Sequence, residues 1–235
     1  MPTLLTRPPG VDKSPFKIYT LCMYISSSER RTQAERLAAT RTALIDAGFA
    51  LFSEHGYSNA TAAQIVAAAG VTRGALYHHF PDGKAGLFQA VFETIEQDLD
   101  RRTREAGEKA VAASGELLQG LIAGFAEFFA LCAKPGIGRI YFQDAPTVLG
   151  WDTWRRIDRD HAIAGIDYGL EHLIKAGILA PQPLAPLTTI LYGASLEAGR
   201  LVVDSHGDPA VVAAMTATME RLIRMLVRES PGNAQ

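Results

Sequence analysis

Apolar residues recur at three- and four-residue intervals along most of this chain, the spacing of helices with one buried face. Leu44, Ala47, Gly48, Leu51 and Phe52 form a first stripe that stops at His55-Gly56. A second runs from Lys84 through Leu87, Phe88, Val91, Ile95 and Leu99, then enters a charged stretch, Asp98 to Gly107, that is expected to fray. Ser114 is read as the cap of a third helix carrying Leu118, Leu121, Ile122, Phe125, Phe128, Phe129 and Cys132, ended by Lys134-Pro135-Gly136. A long helix follows from about Asp152 to Lys175, stopped by Gly177 and the Pro181/Pro183 loop. Two more are expected at about 187–203 and 209–228. The second opens on the Asp208-Pro209 pair and carries Val211, Val212, Met215, Met219, Leu222, Ile223 and Leu226 inward. The pattern is all-α.

Between the first two stripes lie two much shorter helices. Thr61 and Gln64 have capping-box spacing, so the first of these starts near Ala62, buries Ile65, Ala68 and Ala69, and ends at Gly70, a residue free to take a left-handed conformation. Thr72 caps the second, Arg73 to His79, which Phe80-Pro81 terminates. Leu76 and Phe80 face inward, leaving Thr72, Arg73, Gly74, Ala75, Tyr77, His78 and His79 for solvent or a partner. Two short helices across a tight glycine turn make a helix-turn-helix, and the small Gly74 and Ala75 suit close approach to a phosphate or a major-groove floor. Any helical corner needs a similar turn, and Tyr77 as a partly buried packing residue is the competing reading.

Phe52, Gly56-Tyr57, Thr61, Ile65, Ala69-Gly70-Val71, Gly74 to Phe80 and Lys84 together resemble the DNA-binding domain of the TetR family of transcriptional regulators, over roughly residues 34–95. The resemblance implies an N-terminal three-helix helix-turn-helix DNA-binding domain and a C-terminal helical ligand-binding and dimerisation domain. It also implies repression of a near-palindromic operator, relieved by a small molecule. It assigns DNA contact to Thr72, Arg73, Gly74, Tyr77, His78 and Lys84, with Thr61 and Tyr77 directed at phosphate and Arg73 at phosphate or base; Ala75 and His79, open on the same helix, join them as candidates. One departure is Pro81-Asp82-Gly83-Lys84, where many members place the lysine one residue nearer the proline. The last two helices, 187–203 and 209–228, are expected to pair with their copies in a homodimer, the small residues of the first allowing close approach.

Composition adds exclusions. Of 235 residues, 48% are hydrophobic and 20% charged, with a net charge of −2, so the chain as a whole does not coat nucleic acid indiscriminately. Yet residues 1–41 carry a local net of +4. Two cysteines, Cys22 and Cys132, build neither a disulfide framework nor a zinc site, which fits a reducing cytoplasm. No membrane span is expected. Residues 1–28 carry four prolines and read as a disordered extension, with Met23 as an alternative start. The expected organisation is 29–85 for DNA binding, 86–228 for ligand binding and dimerisation, and a tail at 229–235.

Catalytic signatures are missing: there is no Walker loop, nucleophile elbow or His-Glu-x-x-His, so no enzyme, cofactor or metal is expected. His78-His79 diverge on a helix and lack a third ligand, and Asp158 and Asp160 are expected to be solvated. The C-terminal half combines aromatic bulk with polar groups, the mixture a pocket needs. Phe125, Phe129, Tyr141, Phe142, Asp144, Trp151, Trp154, His161, Tyr168 and Glu197 are the candidate lining for an apolar or aromatic effector with a polar handle. His161 and Glu197 carry the most weight, since inward polar groups need partners. Alternatives are an activator, a regulator without a ligand, or a helical small-molecule carrier or enzyme that retains the turn.

Overall fold

The computed structural model describes residues 32–227. The expected extension at 1–28 and tail at 229–235 lie outside the described residues. Thr32 to Leu37 form a unit separate from Ala38 onward, and open helix α1 (Gln33–Asn59). There the Thr32 amide donates to Glu35 Oε2 at 2.6 Å while the Glu35 amide donates to Thr32 Oγ1 at 3.2 Å, a reciprocal cap.

In the larger unit, α1 buries Leu44, Ile45, Ala47, Gly48 and Phe52 and breaks at Gly56, whose φ of +77° only glycine adopts readily. Helices α2 (Ala62–Ala68) and α3 (Arg73–His79) follow, joined through Gly70 at φ +66°. The capping box forms as the spacing requires, with Gln64 N–H to Thr61 Oγ1 at 3.2 Å and Thr61 N–H to Gln64 Oε1 at 2.9 Å. Thr72 Oγ1 likewise accepts from the Ala75 amide. Ile65, Leu76 and Phe80 are buried. Phe52, Tyr57 and Phe88 interlock with ring centroids 5.1–5.8 Å apart, seating the end of α1 on α4 (Lys84–Ser114).

Helix α4 is unbroken through the stretch expected to fray. Arg101 pairs with Asp98 and Glu105, and Arg104 with Asp100, at three- and four-residue spacings that support a helix. Ser114 is the last residue of α4 and does not cap the next helix. Its hydroxyl donates to Ala110 O, and left-handed Gly115 ends the helix before α5 (Leu117–Cys132). A Cβ on Gly107 would lie 2.9 Å from the Gly120 carbonyl oxygen, so glycine on both helices is what lets α4 and α5 cross this closely.

The chain then turns through 86° into a compound segment: α6 (Pro135–Gly138), a π-helical turn (Arg139–Asp144) and α7 (Ala145–Val148). Three longer helices complete the described residues: α8 (Trp151–Lys175), α9 (Leu184–Asp204) and α10 (Pro209–Met225). As expected, Asp208 caps α10, accepting from the Ala210 amide at 2.8 Å. The stripe expected to face inward on α10 is only partly buried. Met219 and Ile223 are enclosed, whereas Leu222 and Met225 are exposed, as are Ile190 and Leu201 of α9.

Candidate DNA interface and buried polar core

Helix α3 presents a polar row on a firmly anchored base. With Leu76 and Phe80 holding its inner face, Thr72, Arg73, Gly74, Tyr77 and His78 are exposed, and Ala75 and His79 are half-buried. Thr61, at the start of α2, is exposed on the same helix-turn-helix. Tyr77 is 44% accessible, which places it outside the core. The Arg73 guanidinium lies 5.7 Å from the Tyr77 ring centroid, and the Tyr77 ring rests on Gly83, where a Cβ would approach to 2.9 Å. The first turn is open: among the described residues, apart from its chain neighbours and its own helix backbone, a Cβ on Gly74 would meet within 4 Å only Thr72 Oγ1. Burial and the neighbouring His78 and Arg41 push the His79 pKa below its ordinary value, favouring a neutral ring.

Lys84 is engaged elsewhere. Its ammonium donates to the carbonyls of Tyr57 at 2.9 Å and Ala60 at 3.0 Å and sits 4.0 Å from the Tyr57 ring centroid. That geometry makes it a clamp on the end of α1, satisfying carbonyls that the helix leaves open. Among the described residues no cluster of three potential metal ligands occurs, and no single helix is long and apolar enough to cross a membrane.

The aromatic candidates divide by helical phase. Phe125, Phe129, Tyr141 and Trp154 are buried, and half-buried Phe142 packs 4.7 Å from Tyr141, centroid to centroid. Trp151 (61%) and Tyr168 (65%) are exposed, against the expectation that they line a pocket. The inner face of α8 is Trp154, Ile157, Asp158, Ile166, Leu170 and Leu173, and Tyr168, two residues from both Ile166 and Leu170, points away. Glu197 also faces out: the inner face of α9 runs through Tyr192, Ser195, Leu196 and Gly199, and Glu197 pairs with Arg200 at 2.5 Å. That partner lowers the Glu197 pKa. His161 is half-buried. Asp144 is committed to the backbone, its Oδ2 accepting from the Tyr57 amide at 2.9 Å, which takes it away from the expected effector role.

The centre of the core is a polar group that sequence reasoning missed. Asp158, expected to be solvated, is fully buried, and both Tyr141 and Tyr192 donate their hydroxyls to it. Glu96 of α4 is 2% accessible, and among the described residues its Oε1 has no hydrogen-bond partner, nor has Trp154 Nε1. Desolvation raises the Asp158 pKa to about 6 against the pull of Tyr141 and Arg155. Burial, then the charge of Asp158, holds Glu96 well above the usual carboxylate range. The signal was present: Glu96 sits four residues after Phe92 and three before Leu99, and Asp158 four after Trp154. Each is a carboxylate at a stripe position.

The π-helical turn joins this centre to the first helix. Tyr141, in its middle, bonds Asp158; at its ends Arg139 donates to the His55 carbonyl at 3.2 Å and Asp144 holds the Tyr57 amide. Two grips therefore close on the break at Gly56.

An exposed, capped second helix on an anchored helix-turn-helix is the arrangement that DNA-binding proteins of this class present to a major groove. Residues 44–91 match the family described as bacterial regulatory proteins, tetR family, and residues 118–226 match the tetracyclin repressor-like C-terminal domain. The HTH-type transcriptional regulator CymR of Pseudomonas putida is 39% identical over 103 residues, 44% of this chain and 50% of that protein. The regulator AcrR of Shigella flexneri is 41% identical over 70 residues, 30% of this chain and 32% of that protein. The chain thus spans half or less of these two relatives' lengths. A TetR-family regulator from Pectobacterium atrosepticum has a solved structure with a TM-score of 0.71 at 29% identity, covering 85% of this chain and 99% of that one. The chain belongs to the TetR family of transcriptional regulators, which are not enzymes.

Proposed function

We propose that the protein is a cytoplasmic, homodimeric repressor that holds a near-palindromic operator and releases it when a small molecule enters the C-terminal core. The observation that carries the DNA role is the exposed row on α3, where Arg73 and Tyr77 lie beside an unobstructed first turn. Thr61, Thr72, Arg73, Gly74, Ala75, Tyr77, His78 and His79 are the proposed contacts, with phosphate the target of Thr61 and Tyr77. Lys84 serves by fixing the end of α1 against α4. Two recognition helices in successive major grooves stand about 34–36 Å apart. Exposed Ile190 and Leu201 on α9 and Leu222 and Met225 on α10 support pairing of these helices with their copies.

Residues 29–85 are the proposed DNA-binding part and 86–228 the effector and dimerisation part, with α4 continuous across the division. The effector core comprises Phe125, Phe129, Tyr141, Phe142, Trp154 and His161. Entry of a ligand beside Tyr141 moves the π-helical turn, and Arg139 and Asp144 carry that movement to Gly56 and so to the angle of the helix-turn-helix. Coupling of about 1–3 kcal/mol is the usual scale for such linkage. Selection of bound sequences from a random duplex library with the purified full chain tests the reading. An enriched palindrome is expected; recovery of no preferred sequence overturns it.

A further inference from the structure

Glu96 is the unexplained group in the core. Burying a carboxylate without a compensating partner is expensive, so such a group is neutralised by a proton or by a cation. Asp158 is satisfied by two tyrosine hydroxyls. Glu96 Oε1 is not, and the influences on it are burial and a second negative charge. The other titratable groups that act here are Tyr141 on the π-helical turn, Cys132 on α5 and Arg155 on α8. Tyr141 and Cys132 carry pKa values pushed upward, so both are neutral. Arg155 draws on Asp158 while its guanidinium lies 4.8 Å from the Tyr192 ring centroid. Around Tyr141 stand the rings of Phe142 at 4.7 Å, Phe92 at 5.6 Å, Trp154 at 6.2 Å and Phe128 at 6.3 Å. These rings surround Tyr141, on which the Glu96 charge acts, and a buried carboxylate beside an aromatic cluster is suited to an organic cation, which gains charge pairing and cation–π attraction together. An anionic ligand would add charge of the same sign, and a neutral one would leave Glu96 with its proton, whereas a cation can take the proton's place.

We propose that Glu96, backed by Asp158, anchors the protonated nitrogen of an organic amine whose apolar body lies among Phe92, Phe128, Phe142 and Trp154. This rests on the reading that the C-terminal core receives an effector, and it names the effector's chemical class. The unpartnered Trp154 indole N–H offers the same ligand a donor for an oxygen near its amine.

Calorimetry on the full chain without DNA, using phenylbutylamine, phenylbutanol and phenylbutanoate as matched probes, tests the site. The amine is expected to bind at least about tenfold more tightly than the alcohol, with the acid weakest. Glu96→Gln should abolish that preference, so that amine and alcohol bind the variant with comparable affinity. In the unmodified protein, amine binding should release protons and tighten from pH 5 to pH 8, because the carboxyl must ionise to pair. That measurement requires no variant to fold. Equal binding of the three probes, amine binding undiminished in Glu96→Gln, no proton release, or no binding at all overturns the proposal. Library selection separates this outcome from the regulator reading: amine binding without an enriched operator sinks only the regulator, and an operator without amine preference sinks only the site.

Discussion

Glu96 and Asp158 give the core a pH dependence opposite to that of surface carboxylates. Both prefer the proton when folded, so their contribution to stability is present at low pH and lost as pH rises through the folded values. For Asp158 that loss runs from its ordinary 3.8 to about 6; for Glu96 it extends higher than the usual carboxylate range. Glu96→Gln removes one ionisation and keeps the shape. Its unfolding free energy without effector should exceed the wild type by about 1–2 kcal/mol at pH 8 and approach it at pH 5, read from denaturant midpoints. An equal difference at both values would show that Glu96 does not titrate in this range.

The short helices were readable because their determinants are local. Thr61 reaches Gln64 and Thr72 reaches Ala75, each three residues on, so spacing alone specified both starts. Asp158 was not readable in this way, since its partners Tyr141 and Tyr192 lie 17 and 34 residues distant and only the folded bundle brings them together. Lys84 shows the same limit: family resemblance pointed it at DNA, whereas carbonyls 24 and 27 residues back hold it. Arg73 and Lys84 should therefore separate by experiment. Arg73→Ala should weaken operator binding and reduce the dependence of log affinity on log salt by about one unit, the signature of one lost phosphate charge. Lys84→Ala should leave that slope intact and lower the melting temperature instead, by several degrees for about 1–2 kcal/mol. A salt slope reduced by Lys84→Ala would restore it to the interface.

At the scale of the molecule, the proposed homodimer would cover the apolar positions that α9 and α10 leave exposed. Met225 is 80% accessible and Ile190 67%, beyond what either helix gains from burial within its own chain. The double variant Ile190→Glu, Met225→Glu should sediment as a monomer and lose operator affinity by more than about tenfold while retaining its helical circular dichroism. A dimer surviving both charges would move the contact elsewhere. The π-helical turn carries a different consequence. Each of its hydrogen-bonded rings encloses one residue more than an α-helical ring, so the turn is equivalent to an α-helix that has accepted a single inserted residue. Deleting Gln143, which is exposed, should let the segment relax to ordinary winding and swing Asp144 by about 100° off the Tyr57 amide. Tyr141 precedes the deletion and keeps Asp158. The expected product still binds operator in a mobility-shift titration but no longer lets go when effector is added. On the proposed mechanism, one surplus residue is then the difference between a switch and a permanent brake.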